Sequence, residues 1–356
     1  MYIKTITIAV IFFIVAVMFS GCIVNHSEYD IYTDIQYQDI PNVDPNLISL
    51  DVYVPKIGQF SIKNIIGDSR LTQLTKPMVE KYRSEKFNFS YPMPVMIWVH
   101  GGGWKSGDEA NQLQYKIPFF IEAEWIFVSV NYRLSPSEIP EDPADFDPNR
   151  IMYPVHNQDI AAAIGWVHEH IGEYGGDSNH ISIMGHSAGA GIVAAIVTNQ
   201  TFLQEFGLNL SVLKNVICLD TEAYDVRDQI ENGSTGMSMM YMNAFGTDPS
   251  VWNDASPIKN IENGEILPSF FVVTRGSSER MNLSERFINK INTTGAITKL
   301  IYALEYTHAE VNDAIGNPKD DIITPALKKF LDINDFNTHY SESKKSCCLK
   351  RDCPVF

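Results

Sequence analysis

Residues 181–191 read ISIMGHSAGAG: a short apolar strand, the turn Gly185-His186-Ser187-Ala188-Gly189, and the opening of an Ala-rich helical run. A Gly-x-Ser-x-Gly pattern says little alone. Between a strand and a helix it sets a serine hydroxyl on a sharp, strained turn. Glycines on either side relieve crowding where a side chain would collide with the neighbouring strand or helix. Ser187 then sits at a helix N-terminus, where partial positive charge favours negative charge developing nearby. The plain alternative is a helix N-cap serine after a tight turn.

Outward from this turn, short two-sided apolar runs alternate with helical patterns. VMIWV (95–99), WIFVSV (125–130), ISIM (181–184), NVICL (215–219), SFFVV (269–273) and KLIYAL (299–304) read as strands. DIAAAIGWVHEHI, AGAGIVAAIVTN, LSERFINKI and ITPALKKFLDI read as helices. Strands apolar on both faces, separated by helices, imply a mostly parallel twisted sheet of about eight strands with helices on each side, an α/β fold. LISLDVYVP (47–55) alternates like a half-buried edge strand and opens the domain. Such a sheet binds its ligand outside the carboxyl ends of its strands, and Ser187 falls near its middle.

A second signal lies at the end of an earlier strand, MIWVHGGGWKSGD (96–108). Acyl transfer needs preorganised N–H donors for an oxyanion, and glycine lets the chain turn tightly beside a substrate. Gly102, Gly103 and Ala188 are the expected donors. A phosphate loop is disfavoured because no Gly-Lys-Ser/Thr follows. Serine also needs a general base, usually histidine. In the chain order serine, acid, histidine, two of the nine histidines follow Ser187, His308 and His339. His339 lies in a polar tail, whereas His308 follows the strand-like KLIYAL and is the expected base. Three carboxylates compete for the acid: Glu279 in TRGSSERMN ranks first, Asp220 second and Asp225 third, the last two in CLDTEAYDV. NYRLSP (131–136), Asp159 and GEYGGD ending at Asp177 read as packing, capping and turn residues. His156, His168, His170 and His180 are expected to be solvated, and His186 is the variable residue of the turn.

With 356 residues, 45% hydrophobic and 20% charged, the chain can bury a sizeable core. Its formal charge of −16 argues against nucleic acid, which is bound mainly by Lys and Arg. The opening MYIKTITIAVIFFIVAVMFSGC has one lysine, an apolar stretch, then Ser20 and Gly21 before Cys22, and reads as a secretory signal. Its Ser-Gly-Cys end resembles a lipoprotein lipobox that would lipidate Cys22, although Phe19 departs from the usual aliphatic residue. A retained signal anchor is the other reading, and both place the body extracytoplasmic and membrane-anchored. Of five cysteines, Cys218 reads as a buried hydrophobe, while Cys347, Cys348 and Cys353 suggest a tail disulfide. Residues 23–48 read as a linker, 49–335 as the domain, 55–92 as an insertion, and 336–356 as a tail. The methionine-rich 226–256 is either a cap over the site or a packed helix.

VHGGGWKSGD, VNYRLSP, the YPVHNQDIAAAIGWVHEHIGEYGGD block, GHSAGA and the late Thr-His together resemble the α/β-hydrolase esterases of the hormone-sensitive lipase and feruloyl-esterase-like (BD-FAE) branch, from about LDVYVP to LKKFLD. The resemblance implies Ser187 as nucleophile, His308 as base, and the second and third glycines of His-Gly-Gly-Gly as oxyanion donors. It places the acid at Glu279, where this chain has Arg-Gly-Ser-Ser-Glu and such enzymes show His-Gly and then Asp. The expected activity is hydrolysis of a small carboxylic ester with no metal or organic cofactor. A non-catalytic binding protein at the cell surface and an amide hydrolase are the alternatives.

Overall fold

In the computed structural model, the structure describes residues 29–56 and 92–333. The signal segment with Cys22, most of the 55–92 insertion and the cysteine tail lie outside the described residues. Eight strands form one sheet: β1 Tyr29–Gln36, β2 Ser49–Pro55, β3 Met93–Val99, β4 Ile126–Val130, β5 Gly176–His186, β6 Leu213–Leu219, β7 Ser269–Thr274 and β8 Thr298–Tyr302. Their order is β1-β2-β4-β3-β5-β6-β7-β8. β1 and β2, and β2 and β4, pair antiparallel; the six strands from β4 to β8 run parallel.

The six apolar runs are all strands of this sheet; five are covered on both faces, while β8, at the edge, leaves Lys299 and Tyr302 exposed. On β3, Val95, Ile97 and Val99 enter one core layer and Met96 and Trp98 the other, as a period of two requires. The first layer is built with α2 (Val155–His170), α3 (Ala188–Thr198) and α6 (Ser278–Asn292). The second is built with α1 (Lys116–Glu122), α7 (His308–Ala314) and α8 (Ile323–Phe330). Every residue of α3 is buried, so its sequence AGAGIVAAIVT is apolar all round.

Three expectations need correction, the first being LISLDVYVP, which as β2 is no half-buried edge but is buried almost throughout between β1 and β4. The stretch read as a linker contains β1, paired Tyr29↔Pro55 through Gln36↔Ser49. Most of its residues are exposed, so no apolar alternation marks it. His156, expected in solvent, is fully buried on α2, with Nε2 3.0 Å from the Ser135 hydroxyl. The methionine-rich stretch forms α4 (Val226–Asn232) and α5 (Thr235–Phe245), which pack on each other.

The chain order reverses across β3. From β3 the chain runs outward to β4, and then returns to place β5 on the other side. The loop after β3 carries the three glycines and the turn after β5 carries Ser187, so both open at the crevice that this reversal creates.

Candidate active site

Ser187 has φ 55° and ψ −119°, a positive-φ conformation outside the regions L-residues favour. It is held there by its own N–H, which donates to Leu219 O on β6 at 2.9 Å, and by α3, whose Gly191 N–H donates to Ser187 O at 3.1 Å. The flanking glycines are required by proximity. A Cβ on Gly189 would lie 2.3 Å from Val99 O, and one on Gly185 2.5 Å from the Gly189 backbone. The turn therefore seats α3 directly against β3.

His308 is the first residue of α7, fixed by a capping box between Thr307 and Glu310. Its Nδ1 lies 2.6 Å from Asp220 Oδ2. With Nδ1–H donated to that carboxylate, Nε2 carries the lone pair of a base. The His308 backbone is fixed as well, because His186 Nε2–H donates to His308 O at 3.0 Å and the two rings stand 4.4 Å apart. Burial above all, with the neighbouring His308 next, pushes His186 down to about 3. It is a neutral donor at ordinary pH.

The structure brings Asp220, not Glu279, to the imidazole. Asp220 follows β6, is 1% exposed, and adopts φ 51° with its N–H donating to Val273 O at 3.0 Å. Arg275 Nε donates to its Oδ2 at 2.5 Å and Arg280 Nε to its Oδ1 at 2.9 Å. Burial pushes its carboxyl up, but the His308 hydrogen bond and the charges of Arg280 and Arg275 outweigh that and hold it below the usual carboxylate value. Arg280 also pairs with Glu222. Glu279 lies on the exposed first turn of α6, accepting from Ser278 Oγ at 3.1 Å. The cause is local: Ser277 caps α6, so Glu279 is spent at a helix start while the arginines on either side of it turn inward. Asp225 caps α4 and pairs with Lys259 and Arg286.

The glycine loop supplies the remaining groups. Gly102 has φ 113° and Gly103 φ 60°, and a Cβ on Gly102 would fall 1.9 Å from Ser106 O. The Gly102 carbonyl accepts from the N–H groups of Lys105 and Ser106, at 3.2 and 3.1 Å. The N–H groups of Gly102 and Gly103 donate to nothing among the described residues, and that of Ala188, at the start of α3, has no intrahelical acceptor. NYRLSP braces this loop, as Tyr132 donates to His100 O at 3.1 Å and stacks on the His100 ring at 4.5 Å. Behind it, Arg133 grips the buried Asp159.

Ser187, Ala188, Gly102, Gly103, His308 and Asp220 all line one cavity of about 800 Å³. Met237, Met240 and Tyr241 of α5 roof part of it, and Tyr241 and Phe245 pack edge-on against Trp104. His186, Asp220 and His308 offer donor atoms within 4.8 Å of one another, spacing that could hold a metal ion. Those atoms already satisfy each other and the His308 carbonyl. Sequence reasoning missed His186 as a support, since nothing in Gly-x-Ser-x-Gly marks the variable residue before the serine. The inward turn of Arg275 and Arg280 was equally unmarked, but Ser277 followed by Ser-Glu was a readable helix start.

Sheet order, crossover site and serine turn define an α/β-hydrolase. The structure aligns with esterase B from Lactobacillus rhamnosis over 96% of this chain and 97% of that one, at TM-score 0.60 and 17% identity. It also aligns with a hyperthermophilic esterase from the archaeon Pyrobaculum calidifontis over 86% and 85%, at TM-score 0.58 and 16% identity. Within that fold the chain belongs to the BD-FAE family, whose model matches residues 85–276. Among relatives, esterase LipQ of Mycobacterium tuberculosis is 28% identical over 253 residues, 67% of this chain and 55% of LipQ. Carboxylesterase NlhH of the same species is 36% identical over 104 residues, 29% of this chain and 28% of NlhH. The chain thus spans about half the length of LipQ and less of NlhH.

Proposed function

We propose that the protein hydrolyses small carboxylic esters through an acyl-enzyme on Ser187. His308 Nε2 takes the Ser187 proton as Oγ attacks the ester carbonyl, and the N–H groups of Gly102, Gly103 and Ala188 receive the oxyanion. The imidazolium returns its proton to the departing alcohol. Water, deprotonated by the same ring, then releases the acid. Asp220 holds the Nδ1 tautomer and stabilises the imidazolium. The observation that carries this reading is the 2.6 Å His308–Asp220 bond in the cavity that also receives the strained serine and the uncommitted loop N–H groups. The esterase names of the relatives support it.

A p-nitrophenyl ester series from acetate to longer chains tests it. Turnover that Ser187→Ala removes is expected; a folded wild-type protein inert to every chain length would sink the reading. The apolar N-terminal segment ending at Cys22 supports an exported protein held to the membrane by lipid or anchor. Cys22→Ser moving the protein out of the membrane fraction is the outcome expected for lipid, and an unchanged distribution counts against it.

A further inference from the structure

Lys116, the first residue of α1, is 1% exposed and takes no part in the steps above. Its ammonium forms no ion pair among the described residues. Burial pushes the amine down to about 7, against the opposing charge of Asp313. A buried cation without a carboxylate is costly to desolvate. What Lys116 gains there is geometry.

Its Nζ donates to Gln112 O at 3.1 Å and to Asn312 O at 2.8 Å, and lies 4.5 Å over the centre of the Trp98 ring. Gln112 belongs to the loop that carries Gly102 and Gly103, lines the cavity, and has φ 58°. Asn312 sits one turn after His308 on α7. Its carbonyl is among the last four of that helix, which lack intrahelical donors, and the Gly316 N–H that could reach back donates instead to Thr324 Oγ1. A second bond, Asn312 Nδ2 to Gln112 Oε1 at 2.5 Å, runs alongside. The two segments also abut, since a Cβ on Gly316 would fall 2.2 Å from Tyr115 O.

We propose that Lys116 is a positioning residue that ties the glycine loop to the His308 helix and so sets the oxyanion donors at a fixed distance from the imidazole. This rests on the hydrolase reading above. His186 anchors the start of α7 from the serine side, and Lys116 anchors its end from the glycine side. A displacement of about 1 Å between groups that must converge on one carbonyl is enough to cost on the order of 100-fold in rate.

The test is Lys116→Met, with Lys116→Gln read in the same way should the first not fold. On p-nitrophenyl butyrate, kcat is expected to fall by roughly 10- to 100-fold with KM within about twofold, the mark of lost transition-state alignment. The melting temperature at pH 7 is expected to change little, because removing the desolvated amine offsets the two carbonyls left without a donor. Unchanged kcat overturns the proposal. So does a parallel loss of kcat and melting temperature, which would make the residue merely structural. Amide hydrogen exchange gives a readout independent of turnover. Residues 308–314 are expected to exchange about tenfold faster in the variant, a change of about 1.4 kcal/mol. Unchanged protection there overturns the tie, whereas a wild-type protein without esterase activity overturns the hydrolase reading and leaves the exchange result to decide the tie.

Discussion

At the scale of single residues, the site turns on which carboxylate meets His308. Asp220 is buried, bonded to the imidazole, and surrounded by two guanidinium groups, whereas Glu279 is exposed at a helix start. Asp220→Ala is therefore expected to lower kcat by about 10⁴-fold, the loss typical of a triad acid. Glu279→Ala is expected to stay within about twofold, as for an ordinary surface change. Steady-state kinetics on one ester compares them; a larger loss at Glu279 would reverse the assignment. The place of Ser187 was legible from its strand-turn-helix context, and that of His308 because chain order left two histidines and the strand before it chose between them. The acid was not, because three carboxylates follow strands at plausible places. What separates them is which way Arg275 and Arg280 fold, and that is a tertiary fact with no local code.

At the scale of elements, the strand-turn-helix and the glycine loop both hold residues at positive φ and are braced separately. The loop depends on Gly102, whose φ of 113° and contact with Ser106 O exclude a side chain. Gly102→Ala is expected to reduce kcat by about 10²- to 10³-fold, equivalent to losing one oxyanion donor at about 2.7–4 kcal/mol. Circular dichroism should stay that of a folded sheet. Activity near wild type would mean that the loop N–H groups are not the donors. Five of the six parallel strands could be read from their two-sided apolar runs, since burial on both faces removes polar residues, and β8 from its apolar run alone, because it is an exposed edge. β1 could not, because an edge strand with exposed side chains leaves a polar sequence.

At the scale of the whole molecule, neutral histidines are locked inside the fold, His156 and His186 among them. Burial pushes both His156 and His186 to about 3, where an unfolded chain would keep them near 6.5. The unfolded state then binds more protons as pH falls, so stability is full above about 6.5 and is lost progressively down to about 3. Each ring contributes up to about 1.4 kcal/mol per pH unit across that window. Melting temperature against pH should decline on the acid side, and His156→Gln should flatten the decline. An equal slope in both proteins would show that the ring is not held neutral. The composition told that a large core exists but not that these rings belong to it, because histidine suits surface and interior alike.

All three scales meet at the cavity that Ser187, His308 and the loop glycines line together. Trapping with a p-nitrophenyl alkylphosphonate, followed by peptide mass spectrometry, tests in one step whether they act together. One phosphonyl group on Ser187 is expected, formed quickly in the wild-type protein and at least about 10³-fold more slowly in Asp220→Ala. A folded protein that stays unmodified, or one modified at another residue, would show that these groups do not form a working hydrolase site.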